Sequence, residues 1–156
     1  MKNVILKDIS LFMCVLFGTA HVAADPTVNA DKLAPCPNSP NCVSSLSNNG
    51  NHFIEPFVYS GSFENARQKL IDILKNFRGA QLVSVEKNYV HVEFRSPIFR
   101  FVDDVEFYFP ADEAIIHVRS ASRLGYYDFG VNRRRAERLR SAFDGPANES
   151  SGGLYD

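Results

Sequence analysis

Three stretches in the second half of the chain alternate apolar and polar residues with a period of two. Val90, Val92 and Phe94 share one side of the first, Val105, Phe107 and Phe109 one side of the second, and Ile116 and Val118 one side of the third. Side chains of a strand point alternately to opposite faces, so the pattern requires a sheet with one covered face and one open face. The cover must come from helices. Residues 63–78 place Phe63, Ala66, Leu70, Ile73, Leu74 and Phe77 at helical spacing, with Ser62 as cap and Gly79 as stop. A second helix is expected over residues 133–143, capped by Asn132 and stopped by Gly145.

The strands are expected over 55–60, 82–86, 89–95, 102–109 and 114–121. Lys87-Asn88 joins one pair, and Pro110-Ala111-Asp112-Glu113 joins another. The order is β-α-β-β-β-β-α. It predicts an α+β fold, a two-layer sandwich of a mainly antiparallel sheet with both helices on one face. At 156 residues and 45% apolar content, with 13 Phe and no Trp, the chain makes one domain with a substantial core.

The N-terminus reads as an address. Lys2 and Lys7 precede an apolar run over residues 9–20, too short to span a bilayer. Val22-Ala23-Ala24 then suits a signal-peptidase site, so residues 1–24 are expected to be a cleaved signal and the mature chain periplasmic or secreted, without a transmembrane span. A lipoprotein signal at Cys14 and a retained anchor are the alternatives. Residues 25–52 form an extended arm rich in Pro, Asn and Ser, 53–145 the α+β domain, and 146–156 a disordered tail carrying the sequon Asn148-Glu149-Ser150. Cys36 and Cys42 remain after cleavage. An even count in an exported chain points to a disulfide, with free thiols as the alternative; zinc lacks a four-ligand set, and no metal or cofactor is expected.

The formal charge of −1 excludes a global nucleic-acid binder. Charge is nevertheless uneven. Residues 119–140 hold seven arginines, no lysine and two acids, Asp128 and Glu137. Arg133, Arg134 and Arg135 fall in the first turn of the last helix, where cations oppose the helix dipole. Either an anionic ligand or a fixed carboxylate would offset that. One reading makes the arginines a clasp that ties the loop 124–131 to acids, with Asp103 and Asp104 as partners. The other makes Arg95, Arg119, Arg123, Arg133 and Arg134, with Asp128 and a stacking Tyr126, a site for an anionic small molecule, a lipid headgroup or an envelope protein.

The open sheet face carries Tyr89, His91, Glu93 and Arg95, then Asp104, Glu106 and Tyr108, then Ile115, His117 and Arg119. Simple hairpin register sets Arg95 opposite Asp104, Asp104 opposite Arg119, and Glu106 beside His117. A small hydrolase or isomerase using His91, Glu93, Glu106 and His117 is therefore the rival class, although no nucleophile–base pair stands out. A purely structural envelope protein is the third.

Three segments carry a family resemblance: PCPNSPNCVSS at 35–45, FRFVDDVEFYF at 99–109 and IHVRSASRLGYYDFGVNRRRAERLR at 116–140. They resemble domain-of-unknown-function family 1499, over about residues 33–143. The resemblance implies an exported bacterial or plastid context and no activity. It makes Cys36, Cys42, Asp103, Asp104, Arg119, Ser120, Ser122, Arg123, Gly125, Asp128, Gly130, Asn132, Arg133 and Arg134 motif positions, with Tyr127 standing where a smaller polar residue is expected.

Overall fold

A computed structural model describes residues 33–145. The expected signal, the start of the arm, Cys14 and the tail with its sequon lie outside the described residues. The elements are β1 (Cys42–Ser44), β2 (Phe57–Val58), α1 (Phe63–Asn76), β3 (Ala80–Val85), β4 (Tyr89–Arg95), β5 (Val102–Tyr108), β6 (Ile115–Ser122) and α2 (Val131–Asp144). Strands β3 to β6 form an antiparallel meander. Both β1 and β2 pair antiparallel with β6, β1 against residues 119–121 and β2 against 115–116. Two short strands in series thus cover what would be an open edge, which limits edge-to-edge association. The α+β sandwich stands, with one strand more than the sequence pattern indicated. That strand, β1, comes from the arm. Three residues are too few to display a period, and all three are buried.

Phe57, Leu70, Leu74, Val90, Val92, Val105, Phe107, Phe109, Ile116, Val118 and Leu139 are buried between helices and sheet. Aromatic edges lock the layer: Phe57 on Phe107 at 5.8 Å, Phe63 on Phe109 at 5.4 Å and Phe77 on Phe94 at 5.8 Å. Ser62 accepts from the Asn65 amide and caps α1. The helix ends two residues earlier than the apolar spacing indicates, because Phe77 turns extended and bonds back to the Leu74 carbonyl. Gly79 follows at φ +83°, where an added Cβ would lie 3.2 Å from the Arg95 carbonyl oxygen.

Two expectations need correction. Asn132 does not cap α2. The cap is Gly130, at φ +74°, and Asn132 is fully buried within the first turn. The register also differs. Glu93 faces Asp104, Glu106 faces Arg119, and Tyr108 faces His117. The connection between β4 and β5 closes sooner than expected, pairing Arg95 with Val102: Ser96 N–H donates to the Phe101 carbonyl and Phe101 N–H to Ser96 Oγ, whereas β5 runs on to pair Tyr108 with His117. The slip is two residues in each pair. An even slip keeps every side chain on its face and changes only its partner.

Candidate functional site

The open face of the sheet is a connected set of ion pairs. Arg123, on the strand-to-helix loop, donates from Nε to Asp104 Oδ2 (2.8 Å) and from Nη2 to Asp104 Oδ1 (2.8 Å) and Glu93 Oε1 (2.6 Å). Arg95 donates to the other oxygen of Glu93 at 2.8 Å. His91 Nε2 and Asp104 Oδ1 are 2.7 Å apart. One strand pair along, Arg119 Nη1 donates to Glu106 Oε2 at 2.7 Å, and the Tyr89 hydroxyl donates to Glu106 Oε1 at 2.7 Å. Glu93 and Asp104 are cross-strand neighbours, so Arg123 holds together two carboxylates that would otherwise repel.

Electrostatics follow this wiring. The Arg123 hydrogen bond, backed by Arg95, holds the Glu93 carboxyl below its usual range. The Arg123 hydrogen bond likewise lowers Asp104, against opposition from its partial burial. The two carboxylates raise Arg123 in return, Asp104 more than Glu93. Burial, followed by donation to Glu106, pushes the Tyr89 hydroxyl up. Glu93, Asp104 and Glu106 on this face are each already bonded to an arginine. His117 has a different partner. Its Nδ1 lies 3.0 Å from Ser45 Oγ, and burial lowers its pKa against the pull of Glu113. Ser45 is itself buried and its Oγ accepts the Val118 amide at 3.0 Å. The serine–histidine contact therefore belongs to the clip that holds the arm on β6.

Beneath α2 lies a second polar set, buried in the protein. Arg135 Nη2 donates to Asp103 at 2.5 Å, and its Nη1 donates to Asn132 Oδ1 (2.8 Å) and Ser120 Oγ (3.3 Å). The Arg135 guanidinium also covers the Phe94 ring at 4.9 Å. The Asn132 amide reaches the Asn41 carbonyl, Ser122 Oγ and Asp128 Oδ2. Asp128 accepts from the backbone amides of Gly130 (2.9 Å) and Asn132 (2.8 Å), so it is the fixed carboxylate at the start of α2.

The other arginines spread out. Arg133 donates to the Phe53 and Asn51 carbonyls, and Arg134 Nη1 to the Phe129 carbonyl. They do not pair with sheet acids as the clasp reading supposed. Arg95, Arg119 and Arg123 lie on the sheet face, Arg133 turns to the 51–53 segment, and Tyr126 stands exposed. A cavity of about 180 Å³ beside the arm takes in Asp128 and Arg133 but not the rest. The Cys36–Cys42 disulfide is formed, with Cα atoms 5.6 Å apart.

The loops at one end of the sheet present a feature that the alternation did not mark. Residues 96–101 leave β4 and return into β5, and residues 123–130 leave β6 and enter α2. The two loops are joined where the Arg123 amide bonds to the Val102 carbonyl. Ile98, Phe99, Phe101, Leu124, Tyr126, Tyr127, Phe129 and Val131 are exposed there, eight of the twelve exposed large apolar side chains among the described residues. Phe99 stacks on Phe101 at 5.6 Å, and Tyr127 meets Phe129 edge-on at 5.0 Å. Arg100 and Phe129 are the two non-glycine residues with positive φ among the described residues, both at +54°. The segment PIFRF between two alternating strands was the available sequence signal, since an apolar loop violates binary patterning.

Fold and wiring define a small α+β domain whose polar sheet face is tied together by internal ion pairs and whose loop end is apolar and exposed. The chain belongs to the DUF1499 family of proteins of unknown function, whose model matches residues 32–143. No curated protein matches the chain.

Proposed function

We propose that this is an exported, non-catalytic docking domain that makes its contact through the loop end, residues 96–101 and 123–131. The carrying observation is the concentration of exposed apolar side chains on two adjoining loops, with Ile98, Phe99 and Phe129 each at least 74% exposed. A contiguous exposed apolar patch of this kind marks interaction sites in folded proteins. Backbone strain supports the same reading. Positive φ costs a non-glycine residue about 1–2 kcal/mol, and both such residues lie on these loops. Strain of this sort gathers at functional segments held by a rigid surround. The surround is present: Arg123, Asp128 and Asn132 brace the second loop from the sheet and the helix. The Cys36–Cys42 disulfide supports an oxidising, exported setting.

The test is photo-crosslinking in the producing cell, with a benzophenone side chain at position 99 or 129 and, as controls, at the exposed positions Val58 and Val83. Adducts are expected at 99 and 129 and not at the controls. Equal labelling at all four positions, or none, would overturn the proposal.

A further inference from the structure

We infer that the occupant of this loop end is the surface of an anionic lipid bilayer; this rests on the docking role proposed above and specifies its partner. Two observations select a bilayer.

The first is how far the side chains project. Ile98 is 80% exposed, Phe129 77%, Phe99 74%, Tyr126 73% and Leu124 72%. Side chains that stand clear of the body enter a deformable medium without needing a matching pocket. Phenylalanine and leucine suit the acyl boundary, and the tyrosine adds a polar tip of the kind enriched at headgroup depth.

The second is charge. Arg95 and Arg123 are already paired with Glu93 and Asp104, which leaves Arg100, Arg133 and Arg134 on residues 95–102 and 123–134 against Asp128 alone. Asp128 is turned inward, onto the Gly130 and Asn132 amides. The Arg100 side chain has no partner among the described residues, and Arg134 uses only Nη1, on a carbonyl within the same loop. Both are exposed. The apolar tips are thus flanked by cationic groups with donors left for phosphate, the complement of an anionic headgroup layer. Arg100, at φ +54°, stands between Phe99 and Phe101 in sequence.

The chain has no tryptophan, so a single Trp reports one position alone. Full-length Phe99→Trp, Phe129→Trp and Val58→Trp are mixed with vesicles of phosphatidylcholine, with and without phosphatidylglycerol. The expected result is a blue shift of emission at 99 and 129 with the anionic vesicles, reversed by salt, and no shift at 58. Arg100→Gln with Arg134→Gln in the Phe129→Trp background should weaken the partition about 25-fold, roughly fivefold for each basic residue near an anionic surface. Because the N-terminal segment is common to all three variants, a shift at 99 and 129 that is absent at 58 reads the loops. No shift at these positions, or an equal shift with phosphatidylcholine alone, would overturn the inference. If vesicles fail while positions 99 and 129 crosslink to a protein in cells, the lipid assignment falls and the docking role stands. If both fail, both fall.

Discussion

Arg135 donates to Asp103 across 2.5 Å under α2, with both residues less than a tenth exposed. The pair joins the second turn of the helix to the first residues of β5, and so ties the helix that follows the aromatic loop to the strand that follows the other loop. It is the most deeply placed ion pair among the described residues.

Removing one partner should be far worse than removing both. Asp103→Ala leaves a buried guanidinium uncompensated and should cost about 3–5 kcal/mol. The double change Asp103→Leu with Arg135→Met should recover most of that loss, since a well-packed apolar pair of similar volume avoids desolvation. Urea unfolding of the single and double variants measures the difference. A double variant as unstable as the single one would mean that Ser120 and Asn132, left without Arg135, dominate the cost.

Arg119 and Arg135 should respond differently to lysine. Arg119 makes one charged bond, from Nη1, and its buried Nε has no hydrogen-bond partner. An ammonium can repeat the single bond and removes the unsatisfied nitrogen, so Arg119→Lys should change stability by less than about 1 kcal/mol. Arg135 forks to three acceptors, Asp103, Asn132 and Ser120. A point charge cannot span them, and Arg135→Lys should cost about 2–3 kcal/mol. Thermal melts at neutral pH provide the comparison.

Acid should weaken the fold in two limbs. Burial lowers the His117 pKa, so the folded state favours neutral imidazole. Stability from this source is complete above the unfolded value of about 6.5 and is lost as pH falls through and below it. Glu93 and Asp104 are lowered by the Arg123 hydrogen bonds, so their contribution is complete above the ordinary carboxylate range of about 4 and is lost below it. His117→Gln should flatten the upper limb and leave the lower one; Arg123→Gln should flatten the lower and leave the upper. Urea midpoints from pH 8 down to the acid limit separate the two.

Period-two alternation in 89–95, 102–109 and 114–121 was enough to assign the layers, because it records burial of one face directly. It was not enough to assign partners. Register depends on where the 96–101 loop closes, and that closure is a serine hydroxyl meeting the Phe101 amide. The β1 strand escaped for a related reason: its register is supplied by β6, and its own three residues carry no period. The arginine segment was legible as charge but not as wiring. Of the three arginines in the clasp reading, Arg135 meets Asp103, whereas Arg133 and Arg134 found carbonyls. Asn132 read as a cap because Asn commonly is one. The helix starts earlier instead: Asp128 holds the Gly130 and Asn132 amides, and the Arg134 amide that an Asn132 cap would bind goes to the Gly130 carbonyl.

The strain on the aromatic loop allows stability and docking to be separated in one residue. Phe129 sits at φ +54° with its ring 77% exposed. Relief of the left-handed backbone by glycine gains about 1–2 kcal/mol. Against that stand about 0.5–1 kcal/mol of added unfolded-state entropy and an exposed edge contact with Tyr127, 5.0 Å between centroids. Phe129→Gly should therefore leave the unfolding free energy within about 1 kcal/mol of the parent while reducing crosslinking from a reporter at position 99. Gly130→Ala should do the reverse. Its φ is +74° and an added Cβ would meet Arg134 Nη1 at 3.1 Å, so it should cost more than about 1 kcal/mol while the apolar tips remain in the chain. A large loss of stability in Phe129→Gly would show instead that the ring supports the fold, and would remove the strain at Phe129 as a support for docking.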